Sequence, residues 1–240
     1  MGKSRLLRSE RVGRGALDVP PGTLLRDTSA SHVTGGAFGP PLRGRWVLPS
    51  HWLAAPERVG LAAQLRRRAF LLRSGARDRG VLLAVAWNAL PLVLVVAAWG
   101  APTAVADVVR LALVSTLASF VGLLWLPPPS RRAVHRADLA AVGEGVDASA
   151  LGATLERLER DQDEEFGRPA AVETIFHPIP SVERRKAVLD GEVRLWWANL
   201  DAWHVARVAL YASWAGVGLL GRAVHCNLGR PEAWVFLPSD

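Results

Sequence analysis

The sequence predicts a mainly α-helical membrane protein. A two-span hairpin is inserted into a small α+β cytoplasmic domain, and a third span follows. Three observations lead to this. No charged residue occurs from Gly80 to Ala106. Arginines crowd the outer flanks of that stretch and are missing from the turn in its middle. The chain has ten tryptophans against one tyrosine, and tryptophan is favoured where a ring sits between lipid and water.

Within 240 residues the charge is uneven, +7 in all: residues 1–79 carry +10, residues 80–126 zero, residues 127–201 −4 and residues 202–240 +1. Half of the residues are hydrophobic, too many for a disordered chain, and the single cysteine, Cys226, excludes a disulfide scaffold. The arginines lack interleaved aromatics and no nucleic-acid-binding fingerprint accompanies them, so no nucleic acid partner is expected. The bilayer is the expected partner.

The elements follow in order. Residues 1–30 form a basic arm without the apolar core of a signal peptide, so the first span must direct insertion. Short strands are expected at His32–Thr34 and Trp46–Leu48, forming a hairpin across the Gly-rich AFGPPLRG, and a helix at Ala54–Leu72, ended by Ser74-Gly75. Val81–Trp99 is 19 residues, close to the roughly 20 that cross a bilayer. Asn88 and Pro91 within it are tolerable if neighbouring groups satisfy the freed backbone. Gly100-Ala101-Pro102 reads as a turn. The second span, Thr103–Leu126, has Asp107 and Arg110 on one face near its start and ends at Pro127-Pro128-Pro129. Helices are expected at Ala137–Val142, Ala148–Asp163 and Ser181–Leu189, with Asp147 and Ser181 as N-caps. The third apolar segment, Trp203–Gly221, carries His204 and Arg207 in its first turns. It either spans or lies in the membrane plane. Its Asp201–His204–Arg207 stripe should face protein or water, because charge is costly among acyl chains. Residues 222–240 form a carboxyl-terminal tail.

Arg66-Arg67-Arg68, Arg73, Arg77 and Arg79 precede the first span, and Arg131, Arg132 and Arg136 follow the second. The positive-inside rule then puts residues 1–79 and 127–201 in the cytoplasm, and the chain in the cytoplasmic (inner) membrane with its amino terminus inside.

The order of the pieces resembles a known plan. A hairpin at 31–53 leads to a helix, APERVGLAAQLRRRAF (55–70). Two spans follow, then SRRAVHRADLAAV (130–142) and FHPIPSVERRKAVL (176–189). This is similar to the membrane zinc metallopeptidases of the HtpX and C-a-a-X prenyl-endopeptidase type, over residues 30–190. The resemblance implies that residues 31–79 and 127–201 are two halves of one peptidase-like domain. The motifs in question are an H-E-x-x-H helix, a second motif E-x-x-x-D and a later T-H-P-x-x-x-x-R. Asp138 matches the second motif, and His177-Pro178 with Arg184 or Arg185 matches the third. The matching Asp supports the metal-binding helix, so residues 130–142 should pack beside the helix of 55–70. Asp138 should then pair with Arg66, Arg67 or Arg68.

The metal ligands are missing. Zinc needs two His one helical turn apart, a Glu between them as base and a third ligand. The aligned helix has Gln64-Leu65-Arg66-Arg67-Arg68, and Val134 stands where the second-motif Glu belongs. Three arginines would also repel a dication. No catalytic or metal residue is therefore assigned: Gln64, Leu65, Arg66, Arg67, Arg68, Val134 and Asp138 mark a degenerate site, with His177 as a supporting or loop residue. The expected function is that of a catalytically inactive relative of these endopeptidases, a scaffold or regulator of a membrane protein partner, without cofactor. Two alternatives stay open. One is an active zinc peptidase with unrecognised ligands. The other is an unrelated small membrane protein. The six histidines share no ligand spacing, and His225 beside Cys226 makes no nucleophile–base pair.

Overall fold

A computed structural model describes residues 4–6, 24–26, 36–38, 45–54, 60–161, 169, 171–173, 177, 179–191 and 200–227. The described chain is mainly helical. A four-stranded sheet comes from the amino-terminal quarter: β1 (Ser4–Leu6), β2 (Leu24–Arg26), β3 (Gly36–Phe38) and β4 (Arg45–Pro49), in the order β1-β2-β4-β3. The expected strand over Trp46–Leu48 is β4. Its antiparallel partner is β3, whose Ala37 and Phe38 were expected in the turn; the partner expected at His32–Thr34 lies outside the described residues. The basic arm is more than an arm, since it supplies β1 and β2, and β2 runs parallel to β4.

Of the helix expected over Ala54–Leu72, the part from Leu61 is α2 (Leu61–Arg73); Ala54 closes a short helix, α1 (Ser50–Ala54), and residues 55–59 lie outside the described residues. Gly60 sets the start of α2. Its φ of 56° is left-handed, and a Cβ there would lie 2.4 Å from the Thr154 hydroxyl, so only glycine enters α2 at this angle. Leu48, Trp52, Leu61 and Leu65 form the core that joins the sheet to α1 and α2.

α3 (Ala76–Trp99) and α4 (Val105–Trp125) are the hairpin, and both are long and apolar enough to cross a membrane. Only 17% of the apolar window is buried in either, which a core helix of a soluble protein would not tolerate. Leu82, Val93, Trp99, Leu117, Phe120 and Trp125 are among the large side chains left more than half exposed. Asp107 opens α4 by accepting the backbone N–H of Thr103 and Ala104, and it pairs with Arg110 at 3.2 Å, as the i, i+3 spacing predicts. The two helices lock through Trp87. Its indole donates to the Ala118 carbonyl (3.1 Å) and fills the gap left by Gly122.

Pro127-Pro128-Pro129 ends the apolar span without ending the helical path. α5 (Pro127–Gly143) starts on Pro127, and Leu126 between the helices keeps α-helical dihedrals. A proline in the first turn has no intrahelical N–H to lose, so it opens a helix as readily as it stops one. α5 is therefore eleven residues longer than the segment expected at Ala137–Val142. α6 (Ala148–Asp161) is capped as expected: Asp147 accepts the Ala150 N–H at 2.7 Å. α7 (Val182–Leu189) begins after Ser181, whose side chain makes no cap bond; its backbone N–H donates to Glu173 instead, at 3.3 Å. The Asp163–Glu165 part of the acidic run lies outside the described residues.

α8 (Val205–Asn227) packs against both α3 and α4 and runs past the expected end at Gly221. Ala84 on α3 meets Ala202, Val205 and Ala209. The Asn88 amide, in the middle of α3, donates to the carbonyls of Ala84 (2.8 Å) and Ala209 (3.1 Å), and the hydroxyls of Ser119 and Ser213 meet across α4 and α8. Small residues and side-chain hydrogen bonds of this kind hold helices together where water is absent.

Candidate functional site

α5 is the element on which the polar half is built. Ala133 and Ala137 are fully buried and let α2 approach closely, with Leu71 and Ala76 against them. The same face carries Val134, His135 and Asp138, all buried. Periodicity explains this: positions 134, 137, 138 and 141 fall on one helical stripe.

Asp138 is 1% exposed and holds two guanidinium groups. Arg67 of α2 donates through Nε to Oδ1. Arg185 of α7 donates through Nε to Oδ2 (2.7 Å) and through Nη2 to Oδ1 (2.9 Å), a fork on the carboxylate. The arginine cluster thus meets Asp138 as the resemblance implied, and Arg67 is the member that does so. Of the two downstream arginines, Arg185 reaches the acid, and Arg184 lies 3.5 Å from Glu173 instead. Burial alone would raise the Asp138 carboxyl; the charges of Arg185 and Arg67 outweigh it and hold the group below the usual carboxylate range. Burial lowers Arg67 to about 10 and Arg68 to about 9, so both remain charged at neutral pH.

The other degenerate positions separate by role. Gln64 is buried, and its carbonyl accepts from Arg67 at 2.9 Å; Leu65 belongs to the core with Trp52. Arg66 donates to the Glu144 carbonyl at 2.7 Å, and Arg68 lies 4.9 Å over the Trp52 ring. His177 is a loop residue. Its N–H donates to the Glu173 carbonyl (3.1 Å), and its own carbonyl lies 3.5 Å from Arg131. His135 shares the Asp138 face, and its Nδ1 is buried without a hydrogen-bond partner among the described residues.

Two buried acids were not singled out as ion-pair centres by the sequence. Glu173, in helical backbone at 171–173, is fully buried. Its only sequence signal is a lone acid in the apolar run AAVETIF. Asp201 is 1% exposed and pairs with Arg132 (2.9 Å) and Arg136. Those arginines are i, i+4 on α5, a spacing that could have flagged one shared acid. α5 therefore bears two carboxylate–diarginine triads, one tying it to α2 and α7, the other tying it to the entry of α8.

Zinc does not fit this arrangement. Gln64 to Arg68 and Val134 offer no imidazole, thiolate or carboxylate, and both oxygens of Asp138 are already bonded to guanidinium groups. Comparison of the chain with family models, with curated proteins and with solved structures found no match.

The buried imidazole gives the polar half an acid limit. Burial lowers His135 from its ordinary 6.5 to about 4, and the Asp138 charge opposes this only in part. The folded state binds the neutral ring, so this contribution is complete above pH 6.5 and is lost as pH falls towards 4. The loss should reach about 3 kcal/mol. Melting between pH 7 and 4 should show this slope, and His135→Asn should flatten it. An unchanged slope would locate the acid sensitivity elsewhere.

Proposed function

We propose that the chain is a membrane-embedded, non-catalytic relative of the zinc metallopeptidases of the HtpX and C-a-a-X prenyl-endopeptidase type, and that it acts by binding, as a scaffold or regulator of a membrane protein partner. One observation carries the reading: the helix that would present H-E-x-x-H presents Arg67 instead, and Asp138 and Arg185 complete an ion triad there. The order helix, hairpin, second motif, third motif is retained, and the arginine and carboxylate hold together three segments that the resemblance assigns to one peptidase-like domain. Metal content tests it. Elemental analysis of the purified chain after dialysis should find well under one zinc per chain, and activity against peptide substrates should be absent. Near-equimolar zinc would favour an active peptidase and overturn the proposal.

The membrane reading rests on the exposed apolar surfaces of α3 and α4. In this reading α8 is the third span, supported by its polar locks to α3 and α4, the Asn88 amide on the Ala209 carbonyl and the Ser119 hydroxyl against that of Ser213. Residues 1–79 and 127–201 lie in the cytoplasm by the arginine asymmetry. Single cysteines introduced as Ala104→Cys and Gly143→Cys, each in a Cys226→Ser background, should react with an impermeant thiol reagent from opposite sides of the membrane. Labelling from one side would reject the topology.

A further inference from the structure

The Asp201–His204–Arg207 stripe does not face one way. Asp201 is buried in its triad and His204 is half-buried, whereas Arg207 is exposed. Arg207 makes no hydrogen bond or ion pair with a described residue. It stands at i, i+4, i+7 and i+11 with Tyr211, Trp214 and Gly218, all exposed, so a guanidinium heads an otherwise apolar outer stripe. Tyr211 and Trp214 meet edge to face at 6.3 Å.

Its depth follows from packing. The Trp203 carbonyl abuts Gly80, and Val205 and Ala209 pack on Ala84. Arg207 is therefore level with the first turns of α3's uncharged stretch, about 3 Å along the helix axis from Val205, the first residue of α8. An arginine stem spans that distance, so its head can reach the headgroup layer. The ground behind it is also basic. His204 adopts a left-handed φ of 59°, stacks on Trp203 (ring centroids 4.2 Å apart), and keeps Nδ1 buried without a hydrogen-bond partner among the described residues. The two charges that act on it most strongly are those of Arg207 and Arg68, both positive.

We propose that Arg207 binds the phosphate of an anionic phospholipid, in the leaflet on the side of the polar half. This rests on the membrane-embedded reading above. A guanidinium fork matches phosphate oxygens, and a headgroup supplies the counter-charge that the described residues do not. The neighbouring Tyr211 and Trp214 then lie along the lipid's upper acyl chains, where amphipathic rings are favoured.

The test uses the full chain. Membranes are first washed in alkaline carbonate. The chain is then purified in mild detergent and offered phosphatidylglycerol, phosphatidylcholine or inorganic phosphate, with native mass spectrometry as the readout. The expected result is retention in the washed membranes, with phosphatidylglycerol held several-fold more than phosphatidylcholine. Arg207→Gln should lose that preference, Arg207→Lys should keep part of it, and excess inorganic phosphate should not compete. Equal retention by Arg207→Gln would overturn the site while leaving the membrane reading intact, as would release by free phosphate. So would a stoichiometric protein held through Arg207 in place of lipid. Release of the wild type by carbonate would overturn the membrane reading and the site with it.

Discussion

Asp138→Asn should destabilise the protein by roughly 3–5 kcal/mol, because it leaves Arg67 and Arg185 as buried cations without their counter-charge. The triad need not add net stability over an apolar core of the same shape, since three charges must be desolvated to build it. Removing the acid alone is the costly change. Thermal melting in detergent is the measurement, with Arg67→Gln and Arg185→Gln singly and in each double with Asp138→Asn. In each double the second change should cost far less than it does alone, a coupling that isolates the ion pair from generic damage. A loss of only about 0–1 kcal/mol, as for an exposed pair, would show that Asp138 is solvated. It would also remove the argument that an ion triad occupies the place of the metal.

The second large effect is expected at Gly80. A Cβ on this residue would come within 2.1 Å of the Trp203 carbonyl and 3.0 Å of its carbonyl carbon. The obstacle is backbone, anchored by the Trp203 N–H on the Ala76 carbonyl (2.9 Å) and by Arg79, which donates to the Asp201 carbonyl (2.9 Å). Neither side can turn away as a side chain would. Gly80→Ala should therefore cost about 1–3 kcal/mol, and Gly80→Val more, by prising the entry of α8 from α3. Melting together with protease sensitivity around residues 200–204 would report it. Gly216, which has open space around it, is the control: Gly216→Ala should melt as the wild type does or slightly above it. Equal tolerance at both glycines would mean that α8 does not approach α3 this closely.

What could be read in the sequence divides along physical lines. The hairpin was legible because a long uncharged run is a strong local signal, and the Asp147 cap was legible for the same reason. The contact of α5 with α2 was reached by placing Asp138 in a motif order, since a pair separated by 71 residues leaves no trace in periodicity. The triad at Asp201 joins residues 65 apart and was missed, although Arg132 and Arg136 carry half of its signal. The sheet was misread because its strands are three to five residues long, too short to show alternation, and because β2 pairs with a strand some twenty residues on. Pro127 does end the second span, and the new helix that starts on it was missed, because a proline marks a boundary without saying whether a helix lies on both sides. Arg207 escaped because spacing alone sets three residues near one face, whereas the neighbours of α8 decide which of them is covered.

The junction at Leu126 has a mechanical consequence. α4 and α5 meet there end to end with α-helical dihedrals at Leu126, so 39 residues and on the order of 58 Å of helix follow one path, with its fulcrum where the apolar part ends. Asp138 stands about 18 Å beyond that fulcrum. A rigid tilt of roughly 5° by the α4 arm would swing the carboxylate through about 1.5 Å, half the length of its bonds to Arg185. Arg67 and Arg185 clamp the short arm of this lever. The Asp138 triad, together with the Asp201 triad nearer the fulcrum, therefore sets how far α4 can lean relative to the polar half.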